Sequence, residues 1–186
     1  ALKEKHPDKF VWASNAFTNT SWYKRWWDYL TLYIGASGGN AFIENNQLVA
    51  DDEAAIEVYR FFDEMNKNGY LLAQEVTDPF ETGIALCTQL VPFKYKAMHE
   101  KYPNLGYNTE YVVAAAPVPD DVPVENVKTM SDSKGVVIYS QVPEEQQKAA
   151  YEFIKWVYGD GAHDSEWMDT TYLLPAQDDL LNNEEF

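Results

Sequence analysis

The segment SWYKRWWDYLTLY (residues 21–33) carries six aromatic rings. Rings of this kind either fill a core or give a ligand a flat apolar wall. At helical spacing Trp22, Trp26, Tyr29 and Tyr33 share one face, and Tyr23, Trp27, Leu30 and Ile34 share the next. Two apolar faces place Trp26, Leu30 and Ile34 in the core. Trp22 and Tyr23 differ. They occupy the first turn, just past the polar loop NAFTNT that leaves a strand, where ligand sites gather in α/β sheets. Phe93 also follows an apolar run, and the polar turn MSDSK, with Ser131, Asp132 and Ser133, precedes another. Rings can stack on the C–H face of a sugar while hydroxyls and a carboxylate bind its rim. The competing readings are core for Trp22 and Tyr23, and a solvated loop for 131–133.

Other chemistry finds little support. His6, His99 and His163 lie far apart, without the short His or Cys spacings that zinc requires. GASGG (35–39) has the G-x-S-x-G spelling, but it stops a helix where a nucleophile elbow must join a strand to a helix, and it lacks the lysine and the dinucleotide spacing of a phosphate-binding glycine loop. Asp160, Asp164 and Glu166 miss the calcium-loop pattern and read as solvated acids. No catalytic residue, metal or cofactor is assigned. Cys87 is the single cysteine, so no internal disulfide can form, and it reads as an inert thiol in an apolar run. Thirty acids against fourteen bases give a formal charge of −16, a field that repels nucleic acid and anionic membrane surfaces. A carboxylate pair for glycoside hydrolysis is always available among thirty acids, but only its separation across a cleft would give it meaning.

The elements that must hold these residues alternate. FVWAS (Phe10–Ser14) reads as a strand, and Ser21 opens a helix from Trp22 to Ile34 that GASGG stops. Asn45-Asn46 within AFIENNQLVA marks a hairpin. Asp51-Asp52 starts a helix whose buried stripe is Ala55, Val58, Phe61, Phe62 and Met65, closed by Lys67 and Gly69. Asp78-Pro79 opens a single turn that Gly83 ends, and Ile84–Leu90 is a strand. A helix over Pro92–Lys101 follows, then strands at Tyr111–Ala116 and Gly135–Tyr139. A last strong helix starts at Pro143, with Ala149, Phe153, Trp156 and Val157 as its buried stripe. Ser165–Thr170 is a short helical piece before the turn at Leu174-Pro175. The order implies an α/β fold, a mixed sheet flanked by helices.

Taken in order, these segments resemble the family 1 extracellular solute-binding proteins of ABC importers, of the maltose/maltodextrin-binding type. The likeness runs through Trp26, Tyr29-Leu30 and Gly38-Gly39; the hairpin FIENNQLV; and Arg60 to Tyr70. It continues through Phe80, Gly83, Ala85-Leu86 and Pro92-Phe93, then APVP (116–119), GVVI, KAAYEFIKWVYG and LLPAQDDLL (173–181). The resemblance implies one lobe of a two-lobed, type II periplasmic-binding-protein-like fold. Residues 1–186 would form a single C-terminal lobe, with the N-terminal lobe and final helices absent. It further implies a monomeric, extracellular or periplasmic protein, with lipid anchoring through a missing N-terminus as one form. Its partners would be a sugar or oligosaccharide and membrane permease subunits. In that family an aromatic after the small apolar strand often stacks on the sugar, which here is Phe93; the loop before GVVI is here Ser131-Asp132-Ser133, where relatives often carry glycines. A polyamine or other small solute is the alternative ligand class, and a lobe of a carbohydrate-active hydrolase is a further one.

Overall fold

The computed structural model describes residues 2–18 and 20–175. In chain order its elements are α1 (Leu2–Lys5), β1 (Phe10–Ala13), α2 (Asn15–Thr18), α3 (Trp22–Ala36), β2 (Ile43–Glu44), β3 (Gln47–Leu48) and α4 (Asp52–Lys67). There follow β4 (Leu71–Leu72), β5 (Ala85–Thr88), α5 (Lys94–Lys101), a 3-10 turn (Val124–Asn126), α6 (Glu144–Tyr158) and α7 (Gly161–Thr171). The chain divides into two compact units, residues 1–90 with 102–131, and residues 91–101 with 132–186.

The first unit is an α/β layer. Its sheet has the order β4-β1-β5 with both pairings parallel. Trp12 lies opposite Leu71 and Cys87, and Ala13 opposite Leu72 and Thr88. Because side chains alternate along a strand, neighbouring residues serve opposite faces. Trp12 and Leu71 join the larger core with Tyr29, Leu32 and Tyr33 of α3 and Ala54, Val58 and Phe62 of α4, while Ala13 and Leu72 join a smaller cluster with Ala85. α4 forms as its stripe predicts. The Asp51 side chain caps it by accepting from the Ala54 N–H at 3.0 Å, and the Asp51 N–H donates to the Tyr33 hydroxyl at 2.8 Å, which ties α3 to the start of α4. The hairpin turns at Asn45 and Asn46 with φ of 49° and 60°, which Asn tolerates better than most residues. Gly35 is required: a Cβ there would sit 2.9 Å from Val118 Cγ1.

Several expectations are corrected. NAFTNT is not wholly loop, since Asn15–Thr18 close one helical turn with the Thr18 N–H on the Ser14 carbonyl. The antiparallel pair β2–β3 forms its own two-stranded sheet, and the three-stranded sheet is purely parallel. Tyr111–Ala116 and Gly135–Tyr139 make no strand among the described residues; Tyr111 forms only an isolated bridge to Tyr107, and Val112, Val113, Val136 and Val137 are exposed. β-branched composition favours extended backbone, but a strand needs a partner.

In the second unit, α6 turns Ala149, Phe153 and Trp156 of the expected stripe outward and keeps Val157 half-buried. Phe153 and Trp156 are exposed, with Trp156 at 61%, whereas Gln147, Ala150, Ile154 and Val157 are the half-buried positions. The Trp156 ring meets His163 at 4.4 Å, and a His163 Nδ1 hydrogen bond to the Trp156 carbonyl (3.0 Å) joins α6 to α7. Asp160 caps α7 by accepting from the Ala162 N–H, and Asp164 is buried rather than solvated. The part of LLPAQDDLL after the Leu-Pro turn, residues 176–181, lies outside the described residues.

Candidate ligand-binding groove

Parallel pairing brings the carboxyl ends of β1, β4 and β5 to one edge of the sheet, where the chain is free to bend into loops that hold a ligand. Thr88 Oγ1 donates to the Ala13 carbonyl at 3.1 Å and closes β5 against β1 at that edge. The next residue after β1, Ser14, is buried. Its hydroxyl donates to Asp28 Oδ2 of α3 at 2.9 Å and accepts from the Ala16 N–H at 3.1 Å. Asp28 Oδ2 also accepts from the Asn15 N–H at 2.6 Å. Burial pushes the Asp28 carboxyl above its ordinary 3.8, and the hydrogen bonds from Ser14 and Asn15 pull it part of the way back.

From this corner α3 runs on with Trp22, Arg25, Trp26 and Tyr29 on one face, at i, i+3, i+4 and i+7. Together with Ala16 of α2 and Tyr59 and Phe62 of α4 they line an open groove of about 520 Å³, within the range of small-molecule sites. Trp22 is 75% exposed and meets Tyr23 edge to face at 6.1 Å. Trp26 stacks on Tyr29 at 5.4 Å and meets the Phe42 edge at the same distance. Tyr29 forms the floor, its phenol raised to about 12 by burial and then by the neighbouring Tyr59 and Tyr33. The walls are apolar and aromatic, with the Arg25 guanidinium as the one charged group, an arrangement suited to stacking a ring and donating to its oxygens.

Trp26 therefore corrects the core assignment: at 42% exposed it is a groove wall, and the inward stripe of α3 is Tyr29, Leu32 and Tyr33. The structure brings Trp22 and Tyr23 together in the first unit. Ser131 belongs to that unit too, exposed and outside any helix or strand; Phe93, Asp132 and Ser133 belong to the second. Phe93 stands 51% exposed in the turn that starts α5, where the Lys94 and Tyr95 N–H groups cap onto the Val91 and Pro92 carbonyls. Asp132 is paired with Lys134. Beside that turn a smaller groove of about 380 Å³ is lined by Pro92, Tyr95, Met168, Asp169, Tyr172 and Leu174. Sequence reading missed Arg25, Tyr59 and Phe62. Arg25 could have been found, because it lies on the Trp22–Trp26 face; Tyr59 and Phe62 arrive from a separate helix by tertiary packing alone.

A family model described as bacterial extracellular solute-binding protein matches residues 1–186. Among solved structures the chain is similar to the 2.1 Å crystal structure of an uncharacterized protein from Listeria monocytogenes EGD-e, with 45% identity and a TM-score of 0.88. The match covers 100% of this chain and 46% of that one, so the chain spans about half the length of this relative. No curated protein matches.

Proposed function

We propose, from the premise that the chain belongs to the bacterial extracellular solute-binding proteins and binds a solute outside the cytoplasm, that the solute is a sugar or oligosaccharide. The observation that carries this reading is the exposed groove of Trp22, Trp26, Tyr29 and Tyr59 with Arg25 at its side. Pyranose rings present C–H faces to aromatic planes and oxygens to a guanidinium, and a desolvated stack of this type supplies binding energy without any bond being broken. The same guanidinium repels a polyamine, and a phosphorylated solute would ask for more than one cation here. The role is capture rather than catalysis, as is general for this family.

In this reading residues 1–186 form the C-terminal lobe of a two-lobed monomer that closes about a hinge, traps the solute and docks on ABC permease subunits. A lipid anchor would hold it at the membrane. Phe93, by stacking, and Ser131, Asp132 and Ser133, by hydrogen bonds, are further proposed ligand contacts. The test is calorimetry on the protein with both lobes, against mono- and oligosaccharides and spermidine. A saturable oligosaccharide signal that weakens by about 1–3 kcal/mol in Trp22→Ala and in Phe93→Ala is the expected result. A response to spermidine alone would overturn the sugar and leave solute binding in place. Sugar binding untouched by either substitution would move the site elsewhere.

A further inference from the structure

We infer that Asp28 is a positioning residue of the aromatic groove: its buried carboxylate clamps the β1–α2 corner to the middle of α3 and so sets the two walls at their working separation. The inference rests on the reading of the groove as the ligand site.

A carboxylate only 6% exposed is costly in a core position that an apolar side chain could fill. What Asp28 gains in return is local. Its three hydrogen-bonded partners are the Ser14 hydroxyl, the Asn15 N–H and the Asn15 side-chain amide (3.4 Å), all on the corner that follows β1. Ser14 then passes the constraint on, because the hydroxyl that donates to Asp28 accepts from the Ala16 N–H. Ala16 is a wall of the groove, and the adjacent Phe17 sets its ring against Phe62, another wall, at 4.9 Å. The opposite wall is Trp22, Arg25 and Trp26, on the same helix as Asp28 and one flank away. Three donors therefore converge on one buried side chain that does not line the groove but ties the residues before Ala16 to the helix that carries Trp22, Arg25 and Trp26. An apolar replacement would keep the helix but leave those donors without their acceptor, which loosens the corner before it loosens the core.

The test uses the wild-type chain, Asp28→Ala, Asp28→Asn and Ser14→Ala, labelled with 5-fluorotryptophan. Amide exchange and the fluorine lines of Trp22 and Trp26 are followed, the lines assigned with Trp22→Phe and Trp26→Phe. In Asp28→Ala the Asn15 and Ala16 amides should exchange faster by on the order of tenfold. The Trp22 and Trp26 lines should shift or broaden, while the line of Trp156 stays in place. Asp28→Asn, keeping one acceptor oxygen, should fall between. Ser14→Ala should free Ala16 more than Asn15, since only Ala16 depends on the relay. If Asp28→Ala does not fold, the other two variants decide the matter. Unchanged exchange at Asn15 and Ala16 would overturn the inference. So would an equal rise at Val58 and Phe62 of α4, which would make Asp28 a support of the whole core. Titration with maltotriose of the same substitutions made in the protein with both lobes separates the two proposals. No response in wild type argues against the oligosaccharide reading alone, whereas the exchange result still stands or falls by itself. With a response, Asp28→Ala should bind about tenfold more weakly; undiminished binding overturns the positioning role.

Discussion

At the scale of single residues, burial separates what holds the fold from what faces a ligand. Trp22, three-quarters exposed, has little apolar area to lose on truncation, while Trp26 rests on Tyr29 and Phe42 with half its surface covered. We expect Trp22→Ala to leave stability within about 0.5 kcal/mol, and Trp26→Ala to cost about 1–2 kcal/mol, since only part of a large ring's area is returned to water. Urea unfolding curves of the two variants check this; a loss of the size found for fully buried rings at Trp26 would return it to the core. Asp28 makes a prediction of unusual sign. Burial raises its folded pKa above 3.8, so the folded state binds that proton more tightly than the unfolded chain does. Its contribution to stability is therefore complete below the unfolded value and is lost as pH rises through the folded one. The stability of wild type relative to Asp28→Asn should fall as pH is raised above the ordinary value of 3.8, the reverse of an ion-paired carboxylate. Urea melts at stepped pH measure the difference, and one that grows with pH would show that the hydrogen bonds outweigh burial.

At the scale of elements, local signals and tertiary demands agree in α4 and part company in α6. α4 has acids in its first turn, Lys67 in its last, a capping Asp51 and a stripe that meets the sheet. Asp51→Ala should cost about 1 kcal/mol through the lost cap, and a melting curve that does not move would place the stabilisation in the Tyr33 hydroxyl bond instead. α6 carries apolar residues at Ala149, Phe153 and Trp156 as well as at Ala150, Ile154 and Val157. Helical periodicity shows that both rows exist but not which one finds a neighbour. Here the second row is the more covered, so Phe153→Ser should change the stability of this chain by no more than about 0.5 kcal/mol. Thermal melting decides it. A large drop would mean that the Phe153 row is the covered one.

At the scale of the whole molecule, the chain matches about half of its solved relative, and a groove open to solvent covers a ligand on one side only. The proposed hinge closure would add contacts and remove water from the other side. If the complete protein binds at about micromolar, roughly −8 kcal/mol, this chain alone should bind at about millimolar or weaker. Isothermal titration of both lengths with the same oligosaccharide tests it; equal affinities would mean that the groove alone is the binding site and closure contributes nothing.

The sequence alone determined what depends on neighbours along the chain. The span of α3, the stripe of α4, the Asn45-Asn46 turn, the Pro79–Gly83 turn and the strand leading to Phe93 follow from spacing, caps and backbone preference, and their order carried the family resemblance. Trp22 and Tyr23 were legible as candidate ligand contacts because they start a helix at the edge of a sheet, and the structure leaves both exposed. The tertiary structure decided what depends on partners far apart in sequence. It made Trp26 a wall rather than core, brought Tyr59 and Phe62 across from α4, gave buried Asp28 its three donors, and left Val112, Val113, Val136 and Val137 without a ladder. The physical reason is the same in each case: propensity and periodicity act over a few residues, whereas burial and strand pairing are set by whichever surface lies opposite.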